Sequence, residues 1–279
     1  MTVLSHPARQ PGADLVSTVS IENLSHWYGR GSTRRQVLQS VDLEIAAGEV
    51  VLLTGPSGCG KTTLLTLIGA LRQVQQGDVR VFGQQLKGAG RGQRQQLRRR
   101  IGMIFQGHNL LRCLTAEQNV QMGADLLAGF SYRGRRDQAR EWLRAVGLED
   151  HLSKLPQDLS GGQKQRICIA RALAANPDFI ICDEVTSALD QIVQEGILKL
   201  LLRLQSELGL TYLFITHDIS TVRAISDQVV VMNEGRVVEQ GSKADVFAPP
   251  HPAYTELLLS SVPEMDPDWL TNLNAARRR

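Results

Sequence analysis

Apolar residues in this chain fall into short unbroken runs, and each run ends on a residue that could do chemistry. Glu49-Val-Val-Leu-Leu-Thr54, Ile101-Gly-Met-Ile-Phe105, Phe179-Ile-Ile-Cys182 and Thr211-Tyr-Leu-Phe-Ile-Thr216 are too short for stable helices. They read as buried strands. They lead into Gly55, Gln106, Asp183-Glu184 and His217. Elsewhere the pattern alternates. Val19–Leu24 predicts an edge or surface strand and Val37–Ile45 a second strand. Ala47-Gly48 then turns the chain into the first buried run. The first 50 residues therefore predict a small antiparallel layer, which Gly77–Gly83 extends. Gln228-Val-Val-Val-Met232 and Arg236-Val-Val-Glu239 flank Asn233-Glu-Gly235, a hairpin signal.

Helical spacing appears between these runs. Leu64–Leu71, Lys164–Ala175 and the leucine-rich Ile192–Leu208 predict single helices, with Pro177 stopping the second. From Thr115 to Leu155 apolar positions recur three and four apart, which predicts a helical insert. Thr115 and Gln118 form a capping-box pattern at its start, and Gly147 and Pro156 close helices within it. The tail from Ala248 is punctuated by proline and ends in three arginines.

Composition narrows the class without naming a function. The 279 residues are 42% hydrophobic, enough for one large α/β domain or two small ones. No apolar run reaches the 18 or so residues of a membrane span. Met1–Val19 lacks the apolar core of a secretory signal and predicts a disordered lead-in. A net charge of +3 is too mild to imply nucleic acid. The four cysteines, Cys59, Cys113, Cys168 and Cys182, form no C-x-x-C pair, so neither a zinc site nor a disulfide framework is indicated. Gly88–Arg100 is rich in glycine and arginine; it reads as a contact for phosphates or a membrane surface, or as a solvated connector and helix face.

The strongest motif is Gly55-Pro-Ser-Gly-Cys-Gly-Lys-Thr-Thr63, which fits G-x-x-x-x-G-K-[ST] between a buried strand and a helix. Backbone N–H groups of such a loop and the helix dipole face phosphate oxygens. Lys61 is expected on the β- and γ-phosphates, and the Thr62 hydroxyl on Mg²⁺. Gly55, Pro56, Ser57, Gly58, Cys59, Gly60 and Thr63 complete the expected nucleotide-binding set. Cys59 lies where a thiolate is favoured; it reads either as a small residue filling the loop or as a thiol whose alkylation blocks ATP. Roughly 120 residues beyond Lys61, a buried strand ends in two acids. Asp183 is the expected metal ligand, and Glu184 the group that polarises or deprotonates attacking water. Leu159-Ser-Gly-Gly-Gln163 is a second glycine-rich helix start and so a second anion site. One nucleotide does not need two cradles in one chain. The economical arrangement is two copies head to tail, with Ser160, Gly161, Gly162 and Gln163 of each closing over the ATP of the other.

From about Val19 to Gly241 this combination resembles the ATP-binding cassette (ABC) family. The resemblance implies an α/β fold of the phosphate-loop NTPase type. Its core is a RecA-like, mostly parallel sheet, with an N-terminal antiparallel β layer and a helical insert. On that basis 1–17 is the lead-in, 18–247 the ATPase domain with its helical part at about 107–158, and 248–279 a C-terminal tail. The resemblance further implies that Tyr28 stacks on adenine and that Gln106 senses Mg²⁺ and the membrane partner. It implies that Ser187-Ala-Leu-Asp190 crosses the dimer, with Asp190 near the nucleotide, and that His217 reaches the γ-phosphate. Catalysis would thus rest on Glu184, His217, Lys61 and Gln106, and metal binding on Thr62, Gln106 and Asp183, with ATP and Mg²⁺ as cofactors. The implied function is ATP hydrolysis that powers transport. It requires a second copy and transmembrane permease subunits, and it places the chain peripherally on the cytoplasmic face of the inner membrane.

Subfamily signals divide along the chain. Leu53–Arg166 resembles the DevA-like macrolide- and lipoprotein-exporter ATPases, through Gly69-Ala-Leu-Arg72, His108-Asn-Leu-Leu111 and Gln118-Asn-Val-Gln-Met122. Cys182–Leu270 resembles peptide-importer ATPases, through Cys182–Asp190 and the stretch after His251. Two such halves are what a recombined chain would show. In this family the insert and the glutamine loop grip the membrane subunit, so residues 106–158 lead to export being favoured over peptide-type import. ABC ATPases acting on nucleic acid carry coiled coils, zinc modules or paired cassettes. Here only about 100 residues separate the phosphate loop from Ser160, without sustained heptads, and no nucleic-acid partner is expected.

Overall fold

The computed structural model describes residues 17–125, 131–187, 189–216 and 225–260. Its centre is a six-stranded sheet ordered β10-β9-β3-β8-β7-β6. The strands are β3 (Val50–Thr54), β6 (Ile101–Phe105), β7 (Phe179–Asp183), β8 (Thr211–Ile215), β9 (Gln228–Asn233) and β10 (Arg236–Ser242). All neighbours pair in parallel except β9 and β10, which form the expected hairpin. Glu234 (φ 47°) and Gly235 (φ 80°) carry its turn, the two left-handed residues that match the twist of the strands.

The unbroken apolar runs have a direct cause. Alternate residues of each central strand belong to two different cores. Val50, Leu52, Ile180, Cys182, Tyr212 and Phe214 face one core, whereas Val51, Leu53, Phe179, Ile181, Leu213 and Ile215 face the other. A strand covered on both sides has no polar face to display. On the first side pack α3 (Ala116–Ala124), α4 (Tyr132–Ala145), α5 (Gly161–Ala174) and α6 (Gln191–Leu208), through residues such as Val120, Trp142, Ile167 and Leu201. On the second side lies α1 (Lys61–Ile68), through Leu64, Leu65, Leu67 and Ile68. Above it sits a four-stranded antiparallel sheet ordered β2-β1-β4-β5. Its strands are β1 (Ser17–Tyr28), β2 (Arg35–Ala46), β4 (Gln76–Val81) and β5 (Gln84–Gln85), and the Arg91–Arg98 stretch is a short helix, α2.

The fold expected from the resemblance is the fold observed. Three local readings change. Val19–Leu24 is part of a 12-residue strand in the middle of its sheet, between β2 and β4, rather than an edge. Register shifts along β1 interrupt the alternation, so its second half, Ser25–Tyr28, looks irregular in sequence. The phosphate-loop helix starts at Lys61 and ends at Ile68, and Ala70 (φ 54°) reverses the chain before Leu71. A short helix, α7 (Lys243–Val246), precedes the tail that starts at Ala248, and the tail itself contains α8 (Ala253–Ser260), with Tyr254 and Leu258 packed on the first core.

Two contacts hold the helical insert. Thr115 and Gln118 form the expected capping box on α3. The fully buried Asn119 side chain donates to the carbonyls of Leu111, Leu114 and Thr115 and accepts from the Leu111 N–H, which pins the segment leading out of β6. Gly123 lets α3 lie directly on α5, since a Cβ there would stand 2.1 Å from the Arg171 carbonyl oxygen. Gly123→Ala should therefore destabilise the protein by about 1–3 kcal/mol through overpacking. Gly92→Ala, on the open surface of α2, should be neutral or slightly stabilising. Urea midpoints of the two variants check this; equal midpoints would contradict the packing.

Candidate active site

Strand register assembles the polar residues that follow the apolar runs. Phe105, Asp183, Ile215 and Leu53 stand side by side across β6, β7, β8 and β3. Gln106 and Glu184 are the first residues past the ends of β6 and β7, and two steps beyond Leu53 the phosphate loop begins at Gly55. Gly55 (φ 148°) can only be glycine, because a Cβ would meet the Met232 carbonyl oxygen at 2.1 Å. The loop is thus pressed against β9 before it turns into α1. Ser57, Gly58 and Thr62 are exposed at its tip. The Lys61 ammonium donates to the carbonyls of Gly55 (2.7 Å) and Pro56 (2.9 Å) and spans the loop it belongs to. Cys59 is buried at 4% exposure, with its sulfur 3.8 Å from Lys61 Nζ. The reading of Cys59 as a small residue filling the loop suits this burial better than that of an accessible thiol. A cavity of about 790 Å³ opens on the loop, lined by Tyr28, Gln36, Val37, Pro56, Ser57 and Glu234 among others.

The acid pair has unequal surroundings. Burial pushes the Asp183 carboxyl up, the Glu184 charge beside it adds to this, and the Lys61 ammonium pulls it part of the way back. Glu184 adopts a left-handed conformation (φ 51°) that L-residues rarely take. Hydrogen bonds fix it there: its N–H donates to the Ile215 carbonyl at 2.9 Å, and its own carbonyl accepts from the N–H and hydroxyl of Ser187. Strain of this kind is kept where the direction of a side chain matters. Thr62, Asp183 and Gln106 offer oxygen donors only. That suits Mg²⁺, which is held by one or two carboxylates together with phosphate oxygens.

Ser160–Gln163 is not part of this cluster. Ser160 caps α5, its hydroxyl accepting from the Gln163 N–H while Gln163 Oε1 accepts from the Ser160 N–H. Gln163 Nε2 also meets His151 Nε2 at 2.9 Å, so this side chain is committed to its own chain. Gly162 is required by packing as well as by any ligand, since a Cβ would stand 2.6 Å from Val193 at the start of α6. Helix α5 covers the face of the sheet opposite α1. Arg171 and Cys168 of α5 donate to the His108 carbonyl just past β6. The start of α5 also lies near this segment, since the His108 side chain meets the Gly161 backbone. Asp190 caps α6, accepting from the Val193 N–H. Tyr28 borders the cavity, its hydroxyl 3.3 Å from the Thr63 hydroxyl. His217 lies outside the described residues.

The residues that hold these groups in place were not apparent from the sequence. Asn119, His151, Arg171 and Gln194 position loops through side-chain hydrogen bonds, and no motif announces them.

With this geometry established, similarity to known proteins decides the family. Residues 38–187 match the family model described as ABC transporter. The chain belongs to the ABC transporter family. A second model, the oligopeptide/dipeptide transporter C-terminal region, matches residues 238–279. The methionine import ATP-binding protein MetN of Bordetella pertussis is 42% identical over 248 residues, 89% of this chain and 68% of that protein. MetN 2 of Salmonella paratyphi A is 44% identical over 232 residues, 83% of this chain and 68% of its own. Among solved structures, a dimeric ATP-binding cassette in a post-hydrolysis state with ADP and Pi is 36% identical, covers 81% of this chain and 98% of that one, and has a TM-score of 0.74. A Clostridium perfringens protein from the ABC transporter complex cbiONQ is 32% identical, covers 83% and 90%, and has a TM-score of 0.75. The chain is an ATP-binding, ATP-hydrolysing subunit of an ABC transporter. No helix among the described residues is long and apolar enough to cross a membrane. The relatives are named as import proteins, in contrast to the export preference drawn from residues 106–158.

The raised proton affinity of Asp183 gives a test. Between the ordinary carboxylate range and the higher folded value, the folded chain binds more protons than the unfolded one. Stability contributed by this group therefore falls as pH rises through that window and stays lowered above it. In EDTA, Asp183→Asn should melt at a higher temperature than the parent at neutral pH. The difference should vanish below about pH 4. Thermal melts across pH check this, and a neutral-pH loss of stability would refute it.

Proposed function

We propose that this chain drives import of a small amino-acid-type or short-peptide solute, bound to permease subunits on the cytoplasmic face of the membrane. The observation that carries the reading is the convergence of Lys61, Asp183 and Glu184 at the carboxyl ends of neighbouring parallel strands, in a chain whose relatives are named as methionine import proteins. The match of the tail to the oligopeptide/dipeptide transporter C-terminal region supports the same direction.

In this reading Lys61 leaves the Gly55 and Pro56 carbonyls for the β- and γ-phosphates, and the N–H groups of Gly58–Thr63 cradle them. Tyr28 carries the adenine. Thr62, Asp183 and Gln106 hold Mg²⁺; when bound, this ion neutralises phosphate charge. Glu184, aimed by its strained backbone, takes the proton of a water whose oxygen attacks the γ-phosphorus. The bond to the β-phosphate oxygen breaks, leaving ADP and phosphate. His217 keeps its expected place at the γ-phosphate on its sequence position. Ser160, Gly161, Gly162 and Asp190 of a second copy close over the nucleotide, and Gln163 acts by shaping the Ser160 turn. The opposite placement of α1 and α5 on the sheet supports this two-copy arrangement.

Lys61→Ala should lose ATP binding. Glu184→Gln should bind ATP, elute as a dimer, and turn over about 10²–10⁴-fold more slowly. Substantial turnover by Glu184→Gln, or an ATP-loaded Glu184→Gln that elutes as a monomer, would defeat the respective assignments. Direction is read by purifying the tagged chain from membranes with its partners and assaying ATP-driven solute uptake in vesicles.

A further inference from the structure

Tyr28 contacts three side chains that do not line the cavity. The Arg72 guanidinium lies over its ring, 4.7 Å from the centroid. His26 meets the same ring edge-on, with centroids 5.2 Å apart and planes at 78°. The Tyr28 hydroxyl sits 3.3 Å from the Thr63 hydroxyl on α1. Tyr28 lines the cavity over the phosphate loop, whereas Arg72, His26 and Thr63 are not in that lining. The contacts thus support the ring while it still borders the cavity.

We propose that Arg72 is a positioning residue for the nucleotide base: it stacks behind Tyr28 and holds the ring flat against the adenine. Arg72 is placed by the end of the phosphate-loop helix. Ala70 turns left-handed, and the Leu71 and Arg72 N–H groups both donate to the Thr66 carbonyl of α1. Tyr28 comes from the other direction, as the last residue of β1. The Arg72–Tyr28 contact therefore joins the platform for the base to the helix that presents the phosphate loop. A cation on one face of an aromatic ring also draws electron density toward that face. His26 suits the arrangement because burial, and then the Arg72 charge, keep its proton affinity low. It packs as a neutral ring and does not repel the guanidinium.

The proposal rests on Tyr28 carrying the adenine. Binding of MgATP and of magnesium tripolyphosphate, which has no base, to the full chain separates the possibilities by calorimetry. Arg72→Ala should weaken MgATP about two- to fivefold and leave tripolyphosphate unchanged. Arg72→Lys should restore part of the loss. Tyr28→Ala should weaken MgATP more, and Arg72→Ala added to it should do nothing further. Unchanged MgATP affinity in Arg72→Ala, with Tyr28→Ala weakened, overturns the role of Arg72 alone. Unchanged affinity in Tyr28→Ala overturns the adenine platform itself. Equal losses for both ligands in Arg72→Ala also overturn the proposal, since Arg72 would then act on the phosphate loop rather than on the base.

Discussion

A sheet buried on both faces confines polar chemistry to its ends. In this protein every side chain of β3 is buried, and so are those of Phe179–Cys182 in β7 and Thr211–Ile215 in β8. Charged groups on such strands would be left without partners, at a cost of several kcal/mol. They can appear only where a strand runs out. Because the central strands are parallel, the exits of β6, β7 and β3 open at the same end of the sheet. The paired register there sets Gln106, Asp183, Glu184 and Gly55 within a few steps of one another. The active site follows from the core: the strand lengths that fill the two apolar layers also fix where the acids and the phosphate loop emerge.

Electrostatics and backbone strain then separate two chemically similar carboxylates. Asp183 is still part of its strand, half-buried, and raised in proton affinity by burial and by its neighbour. A carboxylate held that way gains from any cation brought to it, which is what a metal ligand needs. Glu184 is the first residue off the strand. Its left-handed backbone, held at the N–H by Ile215 and at the carbonyl by Ser187, turns its side chain away from the direction a continuing strand would give. Lys61 opposes the charge of Asp183 while bridging the loop carbonyls.

Much of this could be read from residue order, and the parts that could not share a physical reason. Phe179–Cys182 and Thr211–Thr216 were legible as strands because burial on two faces leaves an unbroken apolar run. The Asn233–Gly235 turn was legible because Asn and Gly punctuate two apolar runs and Gly235 accepts a left-handed position. The place of Asp183 and Glu184 followed from strand, acid and spacing together. The reversal at Ala70 and the strain at Glu184 were hidden, since neither residue type favours a positive φ and tertiary contacts alone impose it. The middle position of β1 was hidden by its register shifts. The partnership of Arg72 with Tyr28 joins residues 44 positions apart through one side-chain contact, which leaves no local pattern. Direction of transport, proposed as import from the names of the relatives, was not legible in the insert for a different reason. The insert and glutamine loop are built around packing residues such as Asn119 and Trp142, and such residues report the shape of the groove rather than which way a solute moves.

The geometry of α5 carries the argument from one chain to two. Its capping box uses the Ser160 and Gln163 side chains to satisfy backbone donors, which leaves the N–H groups of Gly161 and Gly162 at the positive end of a 14-residue helix. That end is a site for an anion. The same chain's phosphate loop sits on α1, across the sheet, and the two helices are separated by the full thickness of the strands between the two cores. Two anion sites on opposite faces of one sheet favour the proposal that one triphosphate is shared between two chains. In the proposed arrangement a second copy, turned about a two-fold axis, would supply the second end to each site, and the two sites would form together because the contact is isologous. Closure of the pair and occupation of both sites would then be a single event, and loss of the γ-phosphate would remove the anion that holds each α5.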